Sequence, residues 1–127
     1  MTNRIVIIEH DLRALMELAV AFRGTPYEIT AVESAEPINA ATRHAEKRPA
    51  AMIVALGGNE NVAGMRSLLA ASTDTRMLFL VPRMPPSPAL ARIVREAGGV
   101  VLWAREAPIV VVATLITILT REHGAVS

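Results

Sequence analysis

The fold is decided near the carboxyl end of the chain, where residues 97–108 read AGGVVLWAREAP. The two glycines stop a helix predicted over residues 89–97, and the apolar run over 100–103 that follows them is typical of a short buried strand. A polar turn comes next, and Pro108 suits the first turn of a last helix, predicted over 108–122. This segment therefore predicts helix, strand and helix joined by very short connections.

The same alternation of apolar runs and helical patterns extends back to the amino end of the chain. The runs are rich in β-branched residues, as in strands that are covered on both faces of a parallel sheet. We predict strands over 5–8, 27–32, 51–56 and 77–81 and helices over 12–23, 36–47 and 61–71. Five βα units with short connections predict an α/β fold, with a doubly wound parallel sheet between layers of helices.

Length and composition indicate one compact domain. The chain has 127 residues, of which 52% are hydrophobic, enough to build a single core. We expect the domain to cover residues 1–122 and residues 123–127 to begin a linker or tail. A net charge of +1 gives no basic footprint, so contact with DNA is expected only through a domain outside this chain. The chain has no cysteine, and no apolar run is long enough for a membrane span, so we expect a cytoplasmic protein.

The segment over 97–108 resembles the Ala-Gly-Ala-Asp-Gly-Tyr-Leu-Leu-Lys-Asp-Ala-Pro segment of response-regulator receiver domains, the CheY-like family. The likeness is closest to receivers that precede a helix-turn-helix DNA-binding domain. Residues 49–55 are similar to the family's Pro-Asp-x-x-x-x-Asp strand, and residues 5–11 occupy the place of its first strand and acidic pair. The resemblance covers essentially the whole chain by element order. It implies a (βα)5 three-layer sandwich with the flavodoxin-like strand order 2-1-3-4-5.

The resemblance also places the family's phosphorylation pocket, and the polar residues of that pocket have changed. Receivers accept a phosphoryl group on an aspartate, helped by acidic metal ligands, a hydroxyl and a lysine. In this sequence the acidic pair falls on Glu9 and His10, and the acceptor falls on Ala55. The hydroxyl position falls on Val81, the aromatic switch on Leu102 and the lysine on Arg105. We therefore expect a degenerate phosphorylation pocket, no catalytic residue and no enzymatic activity.

The aspartates of the chain cannot restore the missing acceptor. Only Asp11 and Asp74 are present, and neither lies in or directly after the third predicted strand. Two interpretations remain for the polar residues after the first strand: a Mg²⁺ site, or a solvated rim in which Asp11 caps the first helix. We favour the rim, and expect no metal and no cofactor. A salt bridge between Arg105 and Glu9 is a further hypothesis.

The last predicted helix is apolar over much of its circumference. One stripe suits packing on the sheet, and a second, about 100° further round, predicts a homodimer through the last helix. The sheet stripe is Val112, Ile116 and Leu119, and the dimer stripe is Val111, Leu115 and Ile118. The alternative is a single wide stripe that belongs to the core of the monomer.

These observations favour a phosphorylation-independent receiver-like domain that mediates dimerisation and signal input for a bacterial transcription regulator. A stand-alone adaptor of two-component signalling is the alternative, followed by a receiver that is still phosphorylated on a non-standard residue. The proline-rich loop over 83–88 lies next to Leu102 and Trp103 in the predicted fold. It offers a surface for a protein partner or a small apolar ligand, or is simply a surface connection.

Overall fold

The computed structural model describes residues 3–32, 49–56 and 75–126 of the chain. The predicted helices over 36–47 and 61–71 lie outside these ranges. The described elements are β1 (Arg4–Ile8), α1 (Leu12–Ala21), β2 (Glu28–Val32), β3 (Ala51–Ala55), β4 (Arg76–Val81), α2 (Pro88–Glu96), β5 (Val100–Trp103) and α3 (Pro108–Val126). Every predicted strand is present, and α3 continues beyond its predicted end at residue 122.

The strands form one sheet in the order β2-β1-β3-β4-β5, and every neighbouring pair is parallel. The predicted fold class and strand order are therefore confirmed. The register pairs Ile8 with Val54 and Ala55 with Leu80, so β1, β3 and β4 end side by side. The side chains that follow these strands share one edge of the sheet as a result.

Side chains alternate between the two faces of the sheet, and both faces are covered. Ile5, Ile7 and Ile53 belong to a core cluster that includes buried residues of α1 and α3. Val6 and Phe79 point the other way and pack in a second cluster with α2. Each face of the sheet thus has its own core, which confirms the three-layer arrangement and explains why the strands are continuous apolar runs.

The inward face of α1 differs from the predicted one. The sequence pattern predicts that Leu12, Leu15, Met16, Ala19 and Phe22 face inward. Leu15 and Phe22 are buried in the core as predicted, whereas Leu12 and Met16 are exposed and Leu18 is buried. Apolar residues lie on both sides of Leu15 on the helix surface, so periodicity alone does not determine how far round the helix the buried stripe extends. The helix is rotated toward Leu18.

The predicted dimer stripe of α3 is wrong at two of its three positions. Val111 is 2% exposed and Leu115 is 0% exposed within the single chain, and only Ile118 is partly exposed. Because α3 contacts α1 as well as the sheet, the structure covers both adjacent stripes inside the monomer. The alternative of a wide core stripe describes α3 correctly. Within the described ranges, no helix has the length and apolar character needed to cross a bilayer.

Candidate functional site: the carboxyl edge of the sheet

Three of the predicted pocket positions meet where β1, β3 and β4 end. Glu9 directly follows β1, Ala55 closes β3 and Val81 closes β4. The edge is held by backbone bonds that continue the sheet: the Leu56 amide donates to the Leu80 carbonyl at 2.9 Å. The resemblance therefore selected positions that are neighbours in space.

The acidic residues at this edge accept hydrogen bonds from backbone amides of the same chain. The Glu9 carboxylate accepts a hydrogen bond from the Asp11 amide at 3.0 Å, and His10 Nδ1 lies 4.0 Å from the same Oε1 oxygen. Asp11 caps α1, since its Oδ1 accepts from the Arg13 amide at 3.0 Å and the Ala14 amide at 3.3 Å. The helix cap predicted for Asp11 is confirmed. Within the described ranges, no group of three or more acidic or histidine side chains is placed to hold a metal ion.

The centre of the edge is apolar on both faces of the sheet. Ala55 and Leu102 are partly buried and pack against the cluster shared by α1 and α3. Val81 is fully buried in the opposite cluster, with α2. A phosphoryl acceptor needs a carboxylate oxygen that can reach phosphorus. The Ala55 methyl group has no such oxygen, and the Val81 side chain has no hydroxyl to hold the transferred group.

We find no protein-family model that matches this sequence and no curated protein that is similar to it. Solved structures are similar to it along nearly its whole length. A CheY-like receiver domain protein from Methanospirillum hungatei superposes with a TM-score of 0.79 at 13% identity, over 98% of this chain and 99% of that one. This chain has the receiver fold.

Two further receiver-fold structures show the range of these similarities. DrrB of Thermotoga maritima, an OmpR/PhoB homologue, gives a TM-score of 0.73 at 14% identity; the match covers 96% of this chain and 54% of DrrB. This chain therefore spans about half the length of DrrB. A response regulator from Burkholderia pseudomallei, solved with a phosphorylated aspartic acid, a calcium ion and citrate, gives 0.69 at 16% identity, over 98% of this chain and 72% of that one.

At the receiver's lysine position, Arg105 lies over an aromatic ring. Its guanidinium carbon lies 6.0 Å from the centroid of the Trp103 ring, and both side chains are exposed. In the described part of the chain no ion pair joins Arg105 to Glu9, so the hypothesis of that salt bridge is wrong. A cation over an indole ring at an exposed site contributes about 0.5–1 kcal/mol. The Trp-x-Arg spacing in a turn is the sequence signal for this contact. Pairing Arg105 by charge with Glu9 missed it.

The proline-rich loop of this receiver fold joins β4 to α2 beside the same edge. The Met84–Pro85 peptide bond is cis, and the Met84 side chain is exposed. The loop ends in a helix cap, since Ser87 Oγ accepts a hydrogen bond from the Leu90 amide at 3.3 Å. The cap explains how the loop enters α2. Binding of a small apolar ligand or a protein here stays a prediction.

Proposed function

We propose that this chain is a receiver-like regulatory domain that transmits signals by binding and association, without being phosphorylated. The observation that carries the proposal is the apolar carboxyl end of β3, where Ala55 stands at the acceptor position beside the buried Val81. Phosphoryl transfer needs an attacking oxygen and cations that offset the developing charge. A methyl group and a valine provide neither. We therefore propose that the domain signals without an enzymatic step.

The output we propose is transcription regulation in the cytoplasm of a bacterium. DrrB is an OmpR/PhoB homologue about twice as long as the part of it that this chain matches. The near-neutral charge of this chain does not suit direct binding to nucleic acid. DNA contact is therefore assigned to a separate domain.

A stand-alone adaptor of two-component signalling is the second candidate. The observation that favours it is the Methanospirillum hungatei receiver protein, because the match covers 99% of that chain. The product of the full-length gene distinguishes the two candidates. A helix-turn-helix domain after the receiver fold supports the transcription regulator, and a product with no further domain supports the adaptor.

Beryllofluoride tests the phosphorylation-independent part of the proposal, because it mimics a phosphoryl group bound to an acceptor carboxylate. Trp103 is the single tryptophan of the chain and lies at the end of β5, so its fluorescence reports changes at this edge. We expect beryllofluoride with Mg²⁺ to leave both the fluorescence and the melting temperature unchanged. The DrrB receiver, which BeF3 activates, is the positive control. A saturable change in this chain would instead support a receiver with a non-standard acceptor.

Self-association is the binding mode that we propose for the domain. Val111 and Leu115 do not provide its surface, because they pack inside the monomer. Large apolar side chains that stay exposed on the helices are the remaining source of a surface, and they include Leu12, Met16 and Ile109. The homodimer therefore has to be sought on a different face from the predicted one.

A further inference from the structure

Three large apolar side chains form an exposed stripe along α1. Leu12 is 63% exposed, Met16 is 59% exposed and Val20 is 50% exposed. Residues four positions apart lie on the same side of a helix, one above the other, so the three make a continuous strip. The core does not need this strip, because α1 already buries Leu15 and Leu18.

Such a strip is energetically unfavourable in water. Covering one large apolar side chain fully contributes about 1.5–3 kcal/mol. Contiguous apolar surface of this kind typically marks an interaction site. By contrast, the exposed side of α3 carries Ile109 and Val110 only at its start and continues with Thr117. The strip on α1 is thus the longest exposed apolar row on the described helices.

The charges around the strip identify its partner. Exposed Arg13 and Glu17 lie together along one flank, with Arg13 Nε 3.5 Å from Glu17 Oε1. The amino end of the helix carries the exposed carboxylate of Asp11, and the carboxyl end is followed by the exposed Arg23. Opposite charges therefore alternate along the helix, in the order Asp11, Arg13, Glu17 and Arg23. A surface with this pattern is complementary to itself when the second copy runs in the opposite direction.

We infer that α1 of this chain pairs antiparallel with α1 of a second copy, about a two-fold axis beside Met16. This arrangement places Met16 on Met16 and Leu12 against Val20 of the second copy. A two-fold axis brings the same flank of each helix together, so Arg13 faces Glu17 of the second copy. A parallel pairing would place like charges opposite each other. The inference rests on the proposed function, because it names the partner and the surface of the self-association.

The position of α1 in the fold is consistent with this pairing. The helix contacts β1, β2 and α3, and β2 is the edge strand of the sheet. The strip is separate from the carboxyl edge that carries Ala55 and Val81, since neither residue lies on α1. Pairing through α1 therefore leaves Ala55 and Val81 outside the interface, whereas Glu9 and His10 adjoin the amino end of the strip.

Sedimentation velocity of the full chain over a range of concentrations tests the pairing. We expect a dimer for the wild type and a monomer for Met16→Arg, with the dissociation constant raised about 30-fold or more, as for a central interface residue. Ile109→Arg is the matched control, because Ile109 is equally exposed at 65% but lies on α3. This control should leave the dimer intact. Val20→Arg serves in place of Met16→Arg if circular dichroism shows that the latter fails to fold.

A charge exchange tests the direction of the pairing. Arg13→Glu alone should weaken the dimer, and Arg13→Glu combined with Glu17→Arg should restore it, because the antiparallel contacts are then rebuilt with reversed signs. A wild-type monomer at every concentration would overturn the inference, as would a dimer that Ile109→Arg breaks and Met16→Arg does not. A wild-type monomer would also overturn the proposed self-association. Neither outcome affects the beryllofluoride result, so failure of the dimer and failure of phosphorylation independence are distinguishable.

Discussion

Ala55 occupies a place where the environment suits a methyl group better than a charge. Its side chain packs against the cluster shared by α1 and α3, and Leu102 packs against the same cluster. A carboxylate placed there would lose water without gaining a cation, since Arg105 lies over Trp103. An alanine at this position and the apolar character of its surroundings are therefore consistent with each other.

Ala55→Asp is expected to destabilise the domain by about 1–3 kcal/mol, the typical effect of burying an unpaired polar group in a protein. Urea denaturation measures the difference in the free energy of unfolding. Ala104→Asp is the control, because Ala104 is exposed just beyond the same edge. Equal stability of Ala55→Asp and the control would mean that the edge still accommodates a carboxylate, contrary to this account.

Asp11 stabilises the start of α1 through two hydrogen bonds to backbone amides. Without the aspartate, these amides lose the side-chain oxygen that accepts their hydrogen bonds. Asp11→Ala should therefore lower the free energy of unfolding by about 1 kcal/mol. Glu17→Ala provides the comparison, because its exposed pair with Arg13 contributes only about 0.3–0.5 kcal/mol. Chemical denaturation of both variants measures the difference. If Glu17→Ala were the more damaging change, the role assigned to Asp11 would be incorrect.

The sequence pattern predicts where the helices and strands lie along the chain more reliably than it predicts which side of a helix is buried. The strand over 5–8 and the helix over 108–122 could be predicted because runs of β-branched residues and a 3.6-residue period are local signals. Which side of a helix meets the sheet is not local. On α1 Leu15 packs inward, whereas Met16, predicted on the same side, stays exposed. On α3 the predicted sheet stripe is covered, and so is the stripe beside it, because α1 lies alongside. The sequence therefore predicted the elements and the sheet-facing side of α3, but not the rotation of α1.

Leu115 is the position at which a core role and an interface role give different results. Leu115→Ala should lower the free energy of unfolding by about 2–5 kcal/mol, as expected for a buried leucine, and should do so equally in the Met16→Arg background. Thr117→Ala on the exposed side of α3 should change it by less than about 0.5 kcal/mol. Denaturant titrations of five proteins provide the values: the wild type, Leu115→Ala, Met16→Arg, the variant with both changes, and Thr117→Ala. If Leu115→Ala lowered the free energy of unfolding in the wild type but not in the Met16→Arg background, Leu115 would belong to an interface and not to the core.

The turn from α2 to β5 depends on a glycine pair. Gly98 has a φ of 68°, and a Cβ atom at Gly99 would lie 3.1 Å from Val94 Cγ1 and 3.2 Å from Phe79 Cε2. Gly98→Ala should destabilise the domain by about 1–2 kcal/mol, because the left-handed conformation is unfavourable for a residue with a Cβ atom. Gly98→Asn should cost less, since asparagine tolerates this conformation better. Thermal unfolding of the two variants should give this order, and the reverse order would contradict the role of the turn.

For the whole molecule, the resemblance to receiver domains predicted where the pocket residues lie in the fold, but not which side chains they contact. Glu9, Ala55 and Val81 share the carboxyl edge as predicted, because register fixes where neighbouring strands end. The partner of Arg105 was not predictable, since the direction of a side chain in a turn depends on the aromatic ring beside it. The chain thus has the receiver fold, with an apolar residue at the carboxyl end of β3. This edge is the basis for our proposal that the domain responds through contacts with partners.

The most direct measurement is the intact mass of the chain after incubation with acetyl phosphate and Mg²⁺. We expect the mass not to change, because no carboxylate stands at the end of β3 and Val81 is buried beside it. A receiver with an aspartate at this position should gain one phosphoryl group in the same reaction and so shows that the donor is active. A mass increase of one phosphoryl group would instead mean that the domain is phosphorylated on a residue other than Ala55.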